Sequence, residues 1–348
     1  MSIKDTITTL GSGTTDSASF NYPYSQSERL GSSVEKFQQF VAALKSASTT
    51  LSSLDLTGCK LAKPQLLMLA DALRHCTKLQ SLVLAGNDLN DSEVTSTFHS
   101  VFAQLKLMRL DLSECISETN IQGLLLGSDT TWLGHLQSLA LDNNQLAASS
   151  ASVLARLLLA APNLRTLCLN YNRVGGAGIR AILAALKAGH GLVHLEAIKN
   201  DIDDQTVAEL CEAIPGTKLT SLHLMSNPLT AKSSSIIAAL IAKNLPQLTV
   251  FKLDRAIGRA MGDLSAIESA LASNRFITSL GEIAPPLSPI YSHVKRNQQQ
   301  PPIAQNSTDT MRAQGLLPGP TPYTNGTHHP KNGGDAPPVR APSTTTSS

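Results

Sequence analysis

The sequence predicts an α/β solenoid of about eight repeats, with parallel strands on a concave inner face and helices on a convex outer face. A leucine phrase recurs every 27 to 29 residues, and each phrase is followed by a segment with helical periodicity. Aromatic residues make up only 4% of the chain, so leucine and alanine must supply most of the core. One such unit cannot bury its own apolar side, but neighbouring units stacked in parallel can.

The phrase reads leucine, two residues, leucine, one residue, leucine, two residues, asparagine or cysteine, one residue, and an apolar residue. Copies begin at Leu51, Leu79, Leu107, Leu136, Leu164, Leu192, Leu219 and, in weaker form, Leu248. The alternating leucines predict a short strand with one buried face.

The asparagine or cysteine of each phrase stands where the chain leaves the strand. Its side chain can satisfy backbone groups that the turn leaves unpaired. The sequence places this structural role at Cys59, Asn87, Cys115, Asn144, Asn172, Asn200 and Asn227.

The third copy departs most from the pattern. Ser117 stands where the last apolar residue belongs, and Gly123 and Gly127 weaken the helix that follows. We expect an irregular turn there, with Trp132 filling the gap. A second contact site on the convex side is the open alternative.

These phrases, over roughly residues 50–283, resemble the leucine-rich-repeat family and within it the long, ribonuclease-inhibitor-like subtype. The resemblance implies a horseshoe-shaped solenoid and a binding role, although the family hosts many such roles. The sequence contains no Walker loop, HExxH or GxSxG motif. We therefore expect a protein that is not an enzyme, binds a protein partner, and needs no cofactor or metal.

Three segments are expected. Residues 1–32 lack periodicity and should be disordered, and residues 33–283 should form the repeat domain, which begins with a capping helix over 33–47. Residues 284–348 hold twelve of the 18 prolines and should be a disordered tail. That tail is either a solvated leftover or a secretion or docking signal.

The charge and the cysteine content indicate the cellular compartment and the class of partner that this protein binds. The net charge is +2 and the repeat body is neutral, which argues against nucleic-acid binding. The five cysteines form no CxxC pair, which indicates free thiols in a reducing compartment. No apolar run is long enough to span a membrane. We expect a cytoplasmic protein that is monomeric on its own.

Side chains between the buried leucines should point to the concave face, and they become larger and more interactive in the later repeats. Tyrosine, arginine and methionine are favoured at the centres of interfaces. We predict a contact surface formed by Tyr171, Arg173, His194, Glu196, Lys199, His223, Met225, Lys252 and Asp254.

Cys168, Glu196 and His223 fall in one column on adjacent strands, roughly 5 Å apart. Such a set could be a cysteine–histidine nucleophile pair or a metal site. The concave face is open to water and offers no identifiable oxyanion donor. These features favour the interpretation that the three residues are neighbours by chance.

A binding protein of this kind could serve as a scaffold or an inhibitor. Two further functions stay open. The first is a secreted bacterial effector that is translocated into a host cell and acts there through binding. The second is a GTPase-activating protein of the Ran-activator type, which needs an arginine or asparagine positioned at the phosphates. The first two exit loops, residues 60–63 and 88–91, contain no arginine, which argues against that alternative.

Overall fold

The computed structural model describes residues 3–20, 29–284 and 288–299. Its strands form one parallel ten-stranded sheet in chain order, so each repeat lies beside the one before it. The strands are β1 (Ser17–Ser19), β2 (Ser53–Asp55), β3 (Ser81–Val83), β4 (Arg109–Asp111), β5 (Ser138–Ala140), β6 (Thr166–Cys168), β7 (His194–Glu196), β8 (Ser221–His223), β9 (Val250–Leu253) and β10 (Ser279–Gly281). The predicted solenoid is confirmed, with ten strands in place of about eight repeats.

Helices connect successive strands, and one further helix lies before the first strand and one after the last. They are α1 (Ile3–Gly11), α2 (Val34–Ser46), α3 (Lys63–Leu73), α4 (Ser92–Phe102), α5 (Glu118–Leu126), α6 (Ala151–Ala160), α7 (Gly175–Lys187), α8 (Asp204–Ala213), α9 (Lys232–Ala242), α10 (Arg255–Met261), α11 (Ser265–Ser273) and α12 (Pro289–Gln298). Short 3-10 turns cover Leu30–Ser32, Thr131–His135, Ala148–Ser150 and Ile214–Gly216. Within the described residues, no helix has both the length and the apolar composition needed to cross a membrane.

Strands β1 to β9 align residue for residue, so the leucine phrases meet in the core, whereas the register shifts between β9 and β10. Leu82 of β3 lies between Leu54 of β2 and Leu110 of β4, and all three are fully buried. Because side chains alternate along a strand, residues on either side of these leucines point to the opposite face of the sheet. We call that opposite face the concave face.

Asparagine side chains join neighbouring repeats at the strand exits. Asn172 donates from Nδ2 to the carbonyls of Leu141, at 2.9 Å, and Leu169, at 2.8 Å. Its Oδ1 accepts from the backbone N–H groups of Asn144 and Leu146, each at 3.0 Å. The five asparagines of this ladder are buried: Asn87, Asn144, Asn172, Asn200 and Asn227. Each therefore satisfies backbone groups that would otherwise be orphaned inside the protein.

The two cysteines in the same slot make weaker contacts. The Cys115 thiol donates to the carbonyl of Leu84 at 3.0 Å, and the Cys59 thiol lies 3.7 Å from the carbonyl of Phe20. A thiol can replace only part of an amide's hydrogen bonding, because it has a single weak donor.

The expected disorder of residues 1–32 is wrong for residues 3–20. Strand β1 pairs in parallel with β2, and α1 packs on α2 with Ile3 and Leu10 buried. Helix α2 therefore lies between two strands and is not the terminal cap expected over 33–47. Because β1 contains no leucine and is not followed by the leucine phrase that marks the other strands, it gave no repeat signal. The expectation for residues 21–28 falls outside the described residues.

The expected disorder of the tail is wrong for residues 288–299. Within α12, Arg296 donates to the carbonyls of Leu271 and Ala272, at 3.2 and 2.9 Å, where α11 ends. Asn297 donates to the carbonyl of Ile277 at 3.0 Å. Helix α12 thus satisfies backbone groups that the last repeat would leave unpaired. Residues 285–287 and 300–348 lie outside the described residues.

The asparagine ladder can be tested at Asn172. Asn172→Ala should lower the free energy of unfolding by about 2–4 kcal/mol, because it leaves several buried backbone groups unpaired. The control is Asn163→Ala, since the exposed Asn163 makes a single side-chain hydrogen bond, to the carbonyl of Gly134. It should cost less than about 1 kcal/mol. Equal losses in urea unfolding would contradict a structural role for the ladder.

Candidate interaction surface

The sequence-predicted contact residues fall into two groups according to their exposure. Five are exposed or partly exposed on the concave face or the exit loops of β6 to β8: Tyr171, Arg173, Glu196, Lys199 and Met225. Lys252 and Asp254, at β9, are also partly exposed. In contrast, His194 and His223 are buried, with only 2% and 6% of their surface exposed. Both histidines therefore lie below the concave surface, where a partner could not contact them directly.

A polar network crosses the concave face, and its central member is Asn170. The Asn170 side chain donates from Nδ2 to Glu196 at 2.8 Å and to Asp142 at 3.3 Å. The Asn170 backbone N–H donates to Asp142 at 2.7 Å, and its Oδ1 accepts from Ile198 N–H at 3.1 Å. Glu196 in turn lies 3.4 Å from Nδ1 of His223. One amide thus holds two carboxylates from different repeats.

Asp142 is electrostatically unusual within this network. Burial raises the pKa of its carboxyl from 3.8 to about 7, and the nearby charges of Glu196 and Asp111 act in the same direction. The hydrogen bonds from Asn170 oppose the rise without cancelling it. Asp142 therefore gains or loses its proton near neutral pH, which changes the charge of the concave face.

Cys168 is unsuited to the nucleophilic role considered from the sequence. Its side chain is fully buried, and desolvation raises the pKa of the thiol well above its ordinary value. The thiol rather than the reactive thiolate therefore predominates. Among the described residues, no group of three or more histidine, cysteine or acidic side chains is arranged to hold a metal ion.

The exit turns share a left-handed backbone position directly before each ladder residue. Residues with positive φ there are Gly58, Gly86, Glu114, Asn143, Tyr171, Lys199 and Ser226. Glycine adopts this conformation without strain, whereas a residue with a Cβ atom pays roughly 1 kcal/mol. Tyr171, at φ 57°, is the only aromatic residue of the seven and its side chain is 45% exposed.

Tyr171 and Lys199 form a pair across two adjacent exit turns. The Lys199 Nζ lies 5.6 Å from the centre of the Tyr171 ring, a distance suited to a cation–π interaction. Both side chains are exposed, and Arg173 lies two residues beyond Tyr171 on the same turn. An aromatic ring flanked by cations thus borders the acidic network of the concave face.

Comparison with known proteins agrees with the repeat geometry. A family model described as leucine rich repeat matches residues 75–92 and 160–183, which include the strands β3 and β6 and two exit turns. The chain is a leucine-rich-repeat protein. The ribonuclease-inhibitor-like subtype expected from the sequence is confirmed by the relatives that match it.

Two curated relatives illustrate the similarity. This leucine-rich-repeat protein is 30% identical over 244 residues to NACHT, LRR and PYD domains-containing protein 5 of Homo sapiens, an alignment covering 69% of this chain and 20% of the relative. It is 29% identical over 208 residues to the ribonuclease inhibitor of Mus musculus, covering 58% of this chain and 45% of the inhibitor. The chain thus spans less than half the length of these relatives.

Among solved structures, an internalin from Listeria monocytogenes aligns with a TM-score of 0.38 and 20% sequence identity. The alignment covers 72% of this chain and 73% of the internalin.

The raised pKa of Asp142 predicts a pH effect on stability. The unfolded chain loses this proton near its ordinary pKa of 3.8, whereas the folded protein holds it until about pH 7. The contribution of Asp142 to stability is therefore lost as pH rises through this window. Asp142→Asn carries no charge in either state, so its stability relative to the native protein should rise with pH, by about 1–3 kcal/mol at pH 8.

Urea unfolding across this pH range measures the effect, and Asp129→Asn is the control. Asp129 is partly exposed, and hydrogen bonds from Thr131 lower the pKa of its carboxyl. Because this carboxyl is ionised in both the folded and the unfolded chain above about pH 5, the stability difference between the control and the native protein should stay nearly constant from about pH 5 to about pH 8. A constant difference between Asp142→Asn and the native protein would contradict the burial of this charge.

The turn geometry predicts an unusual effect of removing a large side chain. Tyr171→Gly should keep the free energy of unfolding within about 1 kcal/mol of the native value, because relief of the left-handed backbone offsets the lost ring contacts. Gly86→Ala makes the opposite change at the equivalent turn, where φ is 73°. It should cost about 1 kcal/mol. A larger loss in Tyr171→Gly than in Gly86→Ala would show that the ring has a structural role.

Proposed function

We propose that this leucine-rich-repeat protein binds a protein partner through the concave face and exit loops of β6 to β9. Similarity to leucine-rich-repeat proteins supports an interaction module in general. The observation that carries the specific surface is Tyr171, an exposed aromatic residue held in a backbone conformation that favours glycine.

Strain of this kind points to function when folding does not require it. The same turn is built elsewhere with Gly86, Asn143 or Ser226, so the fold has no need of an aromatic ring there. Strained backbone positions cluster where binding requires a side chain to be presented. Exposed tyrosines also dominate binding energy at protein interfaces, because they bury a large area and lose little conformational entropy.

The surface around Tyr171 carries both signs of charge. Lys199 and Arg173 provide cations on the exit turns, while Asp142 and Glu196 provide carboxylates on the concave face. Such a mixed surface selects a partner by matching charges and penalises surfaces that place like charges opposite. It supports a protein partner with a structured polar contact surface.

The proposed contact set differs from the sequence prediction at two positions. His194 and His223 are buried, so they support the concave face from below and do not contact a partner directly. Their neighbours Glu196 and Met225 are partly exposed and take the contact role.

The GTPase-activator alternative gains no support from the first exit loop. Lys63 is already paired with Asp91 at 3.0 Å and with Glu93 at 2.9 Å. The effector alternative concerns how the protein is delivered, and it is compatible with the same binding surface. All five cysteines are buried and unpaired, which supports a reducing compartment such as the cytoplasm of a cell.

Photo-crosslinking tests the proposed surface. A benzophenone amino acid introduced in place of Tyr171 should trap the partner in an extract of the source cells, whereas the same probe in place of Lys243, exposed at the end of α9, should not. The trapped protein is then identified by mass spectrometry and purified.

The affinity of the purified partner completes the test. Lys199→Glu and Arg173→Glu should each weaken binding by about tenfold, because they reverse charge at the centre of the interface. Lys243→Glu should leave the affinity unchanged. Trapping from position 243 alone, or equal affinity in all three variants, would contradict the proposal.

A further inference from the structure

The third repeat has a shortened helix on the convex side. Helix α5 has nine residues and is the shortest of the helices α3 to α9. Its C-terminal cap is Gly127, where an added Cβ atom would lie 2.7 Å from Nε2 of His99. Any other residue at 127 would therefore clash with the buried His99 ring.

His99 holds the chain in this shortened form. Its Nε2 accepts a hydrogen bond from the backbone N–H of Asp129 at 3.2 Å. The opposite nitrogen, Nδ1, then carries the proton and donates to the carbonyl of Leu124 at 3.1 Å. The imidazole thus replaces hydrogen bonds that a longer helix would have made.

Trp132 fills the interior that the short helix leaves open. It is 2% exposed, and its ring centre lies 5.3 Å from that of Phe102. The core is therefore closed, and the irregular turn expected with Trp132 at its centre is present. On the convex surface next to Trp132, the space left by the short helix stays open to solvent.

An open groove lies on the convex surface next to this turn. Its volume is about 320 Å³, and it is lined by Leu126, Thr130, Arg156, Leu159 and Ala160. Leu159 is 77% exposed, more than any other large apolar residue described. One repeat later, Lys187 stands at the same position of the repeat, so an apolar residue there is not required by the fold.

Arg156 gives the groove a charge. Its guanidinium is exposed on the same helix as Leu159, three residues earlier, and therefore on the same side of α6. Among the described residues, it forms no ion pair or side-chain hydrogen bond that would neutralise it. The groove therefore combines an apolar floor with an unpaired cation.

We propose that this groove is a second docking site, which binds a partner segment carrying a leucine-like anchor beside a carboxylate. The anchor covers the exposed Leu159 side chain, which removes apolar surface from water. The carboxylate pairs with Arg156, whose planar guanidinium suits bidentate contact with a carboxylate. Because the site is on the convex side, it is independent of the concave face proposed above for the first partner.

A peptide array tests the chemistry of the occupant with the full chain. The probes are fluorescent peptides with a leucine followed three or four residues later by glutamate, in varied surroundings. One matched set has lysine in place of glutamate, and another has alanine in place of leucine. The leucine–glutamate set should bind best, and anisotropy measures each affinity.

Two exposed substitutions make the assignment specific, and neither disturbs the core. Leu159→Lys should weaken binding of the best peptides by about tenfold or more. Arg156→Glu should reverse the preference toward the leucine–lysine set. Tyr171→Ala should leave peptide affinity unchanged, which separates this site from the concave surface.

Three outcomes would overturn the proposal. The first is equal binding of the leucine–glutamate and alanine–glutamate sets by the native chain. The second is an unchanged charge preference in Arg156→Glu. The third is self-association in sedimentation that Leu159→Lys abolishes, which would assign the groove to a second copy of this chain.

Discussion

The whole structure depends on satisfying backbone groups at the point where each strand turns toward its helix. A short parallel strand leaves this turn with unpaired N–H and carbonyl groups, and burying them without partners would cost several kcal/mol per repeat, roughly 1–3 for each group. Asn172 resolves this for its own repeat and the one before it, through bonds to Leu141, Asn144 and Leu146. Repetition of the same solution lets the leucine core continue from repeat to repeat.

The ladder also determines where functional side chains can stand. The residue before each ladder position is forced into a left-handed backbone, which aims its side chain away from the core. Where that residue is glycine or serine, the turn presents no large or charged side chain to a partner. Where it is Tyr171 or Lys199, the same turn presents an aromatic ring and a cation beside the acidic network of the concave face. Folding and recognition thus use the same short segment.

The fold could be predicted because the leucine phrase repeats with nearly constant spacing and each copy predicts the same unit. Strand β1 escaped prediction because Ser17–Ser19 lacks the leucines that mark the other strands, and its pairing with β2 depends on tertiary contact. Helix α12 escaped for a related reason. Its sequence is polar and begins with a proline in a proline-rich region, and its contacts with α11 hold it in place.

The candidate surface was only partly predictable. Alternation along a strand identifies the residues on the concave face, but it does not tell which are covered, and His194 and His223 proved to be buried. Asn170 was not singled out, because its importance comes from the distance between Asp142 and Glu196, which belong to different repeats. The recurring positive φ before each ladder residue was visible in principle as Gly58 and Gly86 in the early repeats.

The central claim is that asparagine side chains protect the exit turns as firmly as the sheet protects its strands. Amide hydrogen exchange of the native protein tests it most directly at Asn144 and Leu146, whose N–H groups donate to Asn172. The account predicts that these two amides exchange as slowly as the amides of β5 and β6. Exchange at the fast rate of exposed loops would contradict it.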